Sequence, residues 1–181
     1  LLVCALALCG VVPAQLIVGN DQAGTATIYE INVATGVATP LYSSTDNSAK
    51  PWGMAADNGN SILYWNNGST LFSASFASLL AGTATPNSVT MTLGAVNTNF
   101  VGLGFNAATG KLIATRNIGS EAVYEIDPLT GVATEGVGYD TTLDFGGLEY
   151  DNATGKLYGT SDSGVRGLHE INPVDGSTVL K

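Results

Sequence analysis

The sequence predicts an all-β fold, a β-propeller of four-stranded antiparallel blades with about 45 residues per blade. Three observations carry this. Two motifs recur in a fixed order, the runs between turn residues are short and rich in Val, Ile, Tyr, Phe and Thr, and no window sustains a 3.6-residue apolar period with helix caps.

The first motif is Tyr29-Glu30-Ile31 followed by Thr35-Gly36-Val37-Ala38-Thr39. It returns about 95 residues on as Tyr124-Glu125-Ile126 with Thr130-Gly131-Val132-Ala133-Thr134, and about 45 residues later as His169-Glu170-Ile171 with Asp175-Gly176-Ser177-Thr178. A degenerate copy, Leu71-Phe72-Ser73-Ala74 with Gly82-Thr83-Ala84-Thr85, lies between the first two. The second motif is Gly102-Leu103-Gly104-Phe105-Asn106 leading to Thr109-Gly110-Lys111-Leu112. It recurs as Gly147-Leu148-Glu149-Tyr150-Asp151 leading to Thr154-Gly155-Lys156-Leu157-Tyr158, and more weakly as Gly53-Met54-Ala55-Ala56-Asp57 with Ile62-Leu63-Tyr64.

Each unit therefore holds four runs of strand length. In the joints after runs one and three, Asp or Asn starts the turn through its side chain and Gly takes positive φ at its end, which makes them tight hairpins. Residues 71–80 come nearest to a helix, and their Ser-rich sequence fits a strand plus loop equally. A lone four-stranded sheet leaves both faces wet; blades around an axis bury them. A β-solenoid would repeat at about 20 residues, and an immunoglobulin-type sandwich would show no such period.

Residues 16–21 align with the second strand of a unit, so the repeat begins one strand late. The expected division is a partial blade of three strands over 15–49 and full blades over 50–96, 97–141 and 142–181. The offset start suggests part of a propeller of about six to eight blades, with a four-bladed ring closed without its first strand as the alternative. Residues 1–14, LLVCALALCGVVPA, are apolar but shorter than the ~20 residues of a membrane span, and they read as a secretory signal ending at Val12-Pro13-Ala14. Both cysteines, Cys4 and Cys9, fall within it, so the processed chain is expected to carry no thiol or disulfide.

Of 181 residues, 15 are Asp or Glu and 6 are Lys or Arg, for a net charge of −9. Scattered basic residues on an acidic chain argue against nucleic-acid binding and against anionic membrane surfaces. The apolar share of 45% supplies a core and rules out a disordered acidic tail.

Strand parity sorts the loops. The terse Thr-Gly hairpins fall on one face, and the longer segments 20–27, 43–51, 66–70, 97–101, 116–122, 139–146 and 161–167 fall on the other, where binding is expected to sit. The ligand-binding candidates there are Asp46, Lys50, Trp52, Asn99, Phe100, Arg116, Glu121, Asp144, Phe145, Asp162 and Arg166, with Asn97 and Asp140 beside them. Aromatic rings beside amides and carboxylates suit sugars or peptides. Trp52 and Phe100 enter the innermost strands, however, and packing near the axis is the favoured expectation for both.

Chemistry finds little support. The single imidazole, His169, stands where Tyr29 and Tyr124 stand in other repeats, and no Gly-x-Ser-x-Gly elbow occurs, so a nucleophilic serine would lack its base. Glu30, Glu125 and Glu170 recur mid-strand, away from the axis. Asp57-Asn58-Gly59-Asn60 and Asp151-Asn152 lack the closing Glu of a calcium loop. No catalytic residue, metal or cofactor is expected.

The stretch Gly147 to Thr160, together with Glu125-Ile126-Asp127-Pro128 and Thr130-Gly131-Val132-Ala133-Thr134, resembles exported bacterial β-propeller repeat proteins. These are similar to quinoprotein-like and YVTN-like propellers and often carry a PEP-CTERM sorting tail. The resemblance implies a secreted or cell-surface protein and specifies the repeat better than the activity. The leading expectation is a non-catalytic binding module for an unknown glycan or protein. The alternatives are an enzyme of lactonase or quinoprotein-dehydrogenase type, with its active site in a C-terminal half beyond these blades, and a structural envelope protein.

Overall fold

A computed structural model describes residues 16–20, 27–44, 50–116, 118 and 121–181. The proposed signal segment and Asp46 lie outside them.

Four sheets form the blades of a propeller. The first holds β1 (Leu16–Gly19), β2 (Ile28–Ile31) and β3 (Ala38–Tyr42). The second holds β4 (Gly53–Asp57), β5 (Ile62–Asn67), β6 (Thr70–Ser75) and, after the short helix α1 (Phe76–Leu80), β7 (Asn87–Thr90). Two-residue strands β8 (Thr92–Leu93) and β9 (Val96–Asn97) follow. The third blade is β10 (Leu103–Asn106), β11 (Lys111–Ala114), β12 (Ala122–Ile126) and β13 (Val132–Gly138), and the fourth is β14 (Phe145–Asp151), β15 (Lys156–Ser161), β16 (Gly167–Ile171) and β17 (Thr178–Leu180).

The hairpins form as their composition dictates. Asn32, Asp127 and Asp151 accept backbone N–H groups two and three residues on through the side chain, and Asn106 and Asn172 accept one. Gly36, Gly110, Gly131, Gly155 and Gly176 each close the turn at φ between 68° and 74°, where a Cβ is strained.

Alternation along the second strands sends successive side chains into different cores. Leu63 and Trp65 of β5 pack with Ile28 and Leu41 of the first blade. Tyr64 between them packs with Phe105 and Leu112 of the third. Leu112 and Ala114 of β11 share that core, whereas Ile113 turns to Phe145, Leu148 and Leu157 of the fourth blade. Three apolar layers thus fill the three gaps between four blades.

Glycines let the innermost strands approach. A Cβ on Gly53 would strike the Val101 carbonyl, and one on Gly104 would strike the backbone of Glu149 and Tyr150. Side-chain latches fix the same register: Asn66 Nδ2 donates to the Phe100 carbonyl at 2.5 Å, and Thr115 Oγ1 donates to the Phe145 carbonyl at 2.6 Å.

Two local features add to the repeat pattern. Residues 76–80 form a helical turn, capped by Ser75 Oγ accepting from the Ser78 amide. The hairpin of β8 and β9 joins the sheet of the third blade, parallel to β13, giving that sheet six strands. Its turn places Gly94 and Ala95 at φ 56° and 66°, the left-handed pair that two-residue hairpins require.

Candidate functional site

Described residues of the irregular loops are pinned to the strands by backbone bonds. Trp52 donates to the Asn66 carbonyl at 2.7 Å, Phe100 to Gly68 at 3.1 Å, Val101 to Thr115 at 2.9 Å and Tyr139 to Glu121 at 3.1 Å. Anchored in this way, the loops enclose two concavities that share Val101.

The first, of about 440 Å³, is lined by Trp52, Asn97, Thr98, Asn99, Val101, Arg116 and Ile118. Trp52 is 48% exposed, so its indole is offered to solvent and not packed at the axis as its place in the repeat suggested. The equivalent positions in the next blades, Val101 and Gly146, are also not buried; the buried ring is that of Phe100, which meets Tyr124 edge-to-face at 5.4 Å, while the indole lies over Gly68. The Arg116 guanidinium carbon lies 5.7 Å from the Tyr124 ring centroid, and its Nε is buried without a hydrogen-bond partner among the described residues. This wall combines an aromatic face, amides and a cation.

The second, of about 320 Å³, is lined by Val101, Asp144, Gly146, Gly147, Thr160, Ser161 and Asp162. Burial, and then the Asp162 charge, raise the Asp144 carboxyl above its ordinary range. Ser161 Oγ fixes the approach by accepting the Asp144 amide at 3.0 Å. Sequence reasoning missed Thr160. Aligned repeats place it where Asn66 and Thr115 latch the next blade, yet it is exposed and faces the concavity.

The other candidates are dispersed. Lys50 is buried, and its carbonyl accepts Asn67 Nδ2 at 2.6 Å. Phe100 and Phe145 are core residues with no exposed surface, because their carbonyls receive the two inter-blade latches and their rings face inward. They therefore offer no ring to a ligand. Glu121 is buried, accepts the Tyr139 hydroxyl at 2.8 Å, and is raised chiefly by burial. Arg166 is exposed and lines neither concavity. Asp140 caps its own turn through the Thr142 amide and hydroxyl.

His169 is buried against Phe145, with Nε2 at 2.7 Å from the Val165 carbonyl. Asn152 bridges blades, donating to the Phe105 carbonyl at 2.8 Å and accepting the Ala107 amide at 2.6 Å. Among the described residues, no three His, Cys, Asp or Glu stand close enough to hold a metal ion, and no helix is long and apolar enough to cross a membrane.

No family model matches the chain, and no curated protein matches it. Solved structures do. The chain is similar to one in a nidogen/laminin complex (TM-score 0.59, 17% identity, 85% of this chain and 56% of that one). It is also similar to the glutaminyl cyclase of Myxococcus xanthus (TM-score 0.53, 17% identity, 89% and 76%). A third is the periplasmic gluconolactonase of Pseudomonas aeruginosa (TM-score 0.53, 12% identity, 92% and 55%). The chain spans little more than half the length of the first and third. At these identities the likeness shows the propeller fold alone.

Proposed function

We propose that the chain is a non-catalytic, secreted or cell-surface propeller module that binds a protein or glycan ligand in the concavity between Trp52, Asn99 and Arg116. The supporting observation is an indole left exposed beside an amide and a guanidinium, on loops pinned to rigid innermost strands. An indole face stacks on a sugar ring or an apolar side chain, the amide matches hydroxyls or peptide groups, and the guanidinium fork suits a carboxylate. Asp144 and Asp162 across Val101 give the same face a wall of opposite charge. Among the similar structures, one is named as a protein complex and two as enzymes, so the fold itself does not decide.

The test is a glycan array and a peptide library probed with the intact chain and with Trp52→Ala and Arg116→Gln. The expected result is a ligand whose binding falls about tenfold or more in both variants while thermal stability is kept. Ligands that bind Trp52→Ala unchanged would overturn the site. Turnover of a lactone or glutaminyl peptide that Asp144→Asn abolishes would overturn the non-catalytic reading.

A further inference from the structure

Arg116 and Asp144 flank one inter-blade latch. Thr115, the residue before Arg116, donates its hydroxyl to the carbonyl of Phe145, the residue after Asp144, and accepts the Val101 amide through its own carbonyl. One backbone junction therefore sets a cation in the first concavity and a carboxylate in the second. The two charges do not cancel. Neither residue makes an ion pair among the described residues, and the Asp144 carboxyl is raised by burial and then by Asp162, with no cation offsetting either.

Both charges stand on fixed supports. The Arg116 guanidinium is held over the Tyr124 ring, and the nearby Glu121 carboxylate is already engaged by the Tyr139 hydroxyl. Across Val101, Ser161 Oγ accepts the Asp144 and Ser163 amides and donates to the Ser163 carbonyl, which clamps the turn that carries exposed Asp162. The half-exposed Trp52 indole shares the first concavity with Arg116.

This arrangement separates ligand chemistries. A neutral sugar would desolvate both charges without pairing either, and an acidic sugar would pair with Arg116 while meeting the carboxylates. A polypeptide carries both signs on one chain, and alternate side chains of an extended segment project to the same side about 7 Å apart.

We propose that the two concavities together bind one extended peptide segment bearing an acidic, an apolar and a basic side chain: the carboxylate pairs with Arg116, the apolar side chain lies on Trp52, and the cation sits between Asp144 and Asp162. This assignment rests on the binding reading above and narrows it from protein or glycan to a peptide of mixed charge. The planar guanidinium fork selects the carboxylate at one end. Two carboxylates without a cation select an ammonium or guanidinium at the other, and the net charge of −9 steers that group inward.

The probes are end-blocked peptides in which Glu-Leu and Lys are joined by up to three glycines, made in both sequence directions and titrated into the full chain. Binding is read from the indole N–H resonances, where Trp52 reports the site and the fully buried Trp65 reports an intact fold. Saturable movement of the Trp52 signal is expected with at least one spacing, and replacing the peptide's Glu or its Lys with Gln is expected to weaken binding about tenfold or more. In Arg116→Gln the Glu replacement is expected to have no further effect while the Lys replacement keeps its own; in the double variant Asp144→Asn/Asp162→Asn the roles reverse. A Trp52 signal that no peptide moves overturns the proposal, as does binding that both Gln peptides retain. A neutral glycan whose binding is lost in Trp52→Ala overturns the peptide assignment while the wider binding reading stands; that reading fails separately, when every ligand found binds Trp52→Ala unchanged.

Discussion

The side-chain amide of Asn66 donates to the carbonyl oxygen of Phe100 at 2.5 Å while its own oxygen accepts the amide of Gly53 at 2.9 Å. One residue thus ties the start of its own innermost strand to the segment entering the next blade's. Thr115 repeats the inter-blade half with Phe145. Apolar layers between blades are non-directional and would tolerate sliding; two buried hydrogen bonds at equivalent positions fix the register.

Thr115→Val keeps the shape and removes the donor, so the Phe145 carbonyl is left buried and unpaired. A loss of about 1–3 kcal/mol is expected in urea unfolding. Asn66→Ala is expected to cost more, since the Gly53 amide and the Phe100 carbonyl both lose a partner.

The hairpin glycines separate two demands. Gly110 has positive φ and open space around its Cβ position, so Gly110→Ala is expected to cost only the left-handed strain of about 1–2 kcal/mol. Gly176 has the same φ but lies against the Gly138 carbonyl of the third blade, which a Cβ would strike. Gly176→Ala is therefore expected to lower the melting temperature further than Gly110→Ala, as is Gly131→Ala, where the obstacle is the Thr90 carbonyl.

This contrast shows why part of the fold was legible in the sequence. The Asp/Asn-to-Gly turns are decided within five residues, so strand limits and the three-strand first sheet could be read directly from the repeat. The β8/β9 hairpin could not, because Gly94-Ala95 is a weak turn signal and its sheet partner, Val132 to Ala133, is far along the chain. Repeat position alone does not say which candidate side chains are buried. Trp52 and Phe100 look alike as aromatics near an innermost strand, yet Phe100 is buried against Tyr124 and Trp52 is half-exposed. Lys50 and Glu121 are buried through contacts that a linear reading does not contain.

Glu121 and Tyr139 form a buried pair whose weight changes with pH. Burial raises the Glu121 carboxyl, and the Tyr139 hydroxyl partly offsets this by donating to the carboxylate. A carboxyl raised in the folded state disfavours folding as pH rises through its folded value, and the penalty disappears below its unfolded value. Tyr139→Phe removes the offset and is expected to cost about 1.5–3 kcal/mol near neutral pH and less below about pH 4, where an unfolded carboxyl is protonated. Glu121→Gln is expected to relieve the penalty, with a stability gain at neutral pH that fades in acid. Urea midpoints of both variants at the two pH values measure the difference.

Asp127 gives the opposite sign. The Lys111 ammonium, and then the Leu129 and Thr130 amides, hold its carboxyl well down, at about 2 against the usual 3.8. A carboxyl depressed by folding stabilises the native state above its unfolded value and loses that contribution as pH falls from about 4 to about 2. Lys111→Met removes the ammonium but leaves both amides, so the Asp127 carboxyl is expected to rise part of the way back. Carbon-detected titration of the Asp127 carboxyl in the two proteins reads this directly. The variant should also lose stability less steeply than the parent between about pH 4 and 2, because a smaller native-state preference for the charged form remains to be lost. An unshifted titration would mean that the turn amides alone hold the charge, and that the Lys111 pairing, with both side chains about one-third exposed, is solvent-screened to no effect.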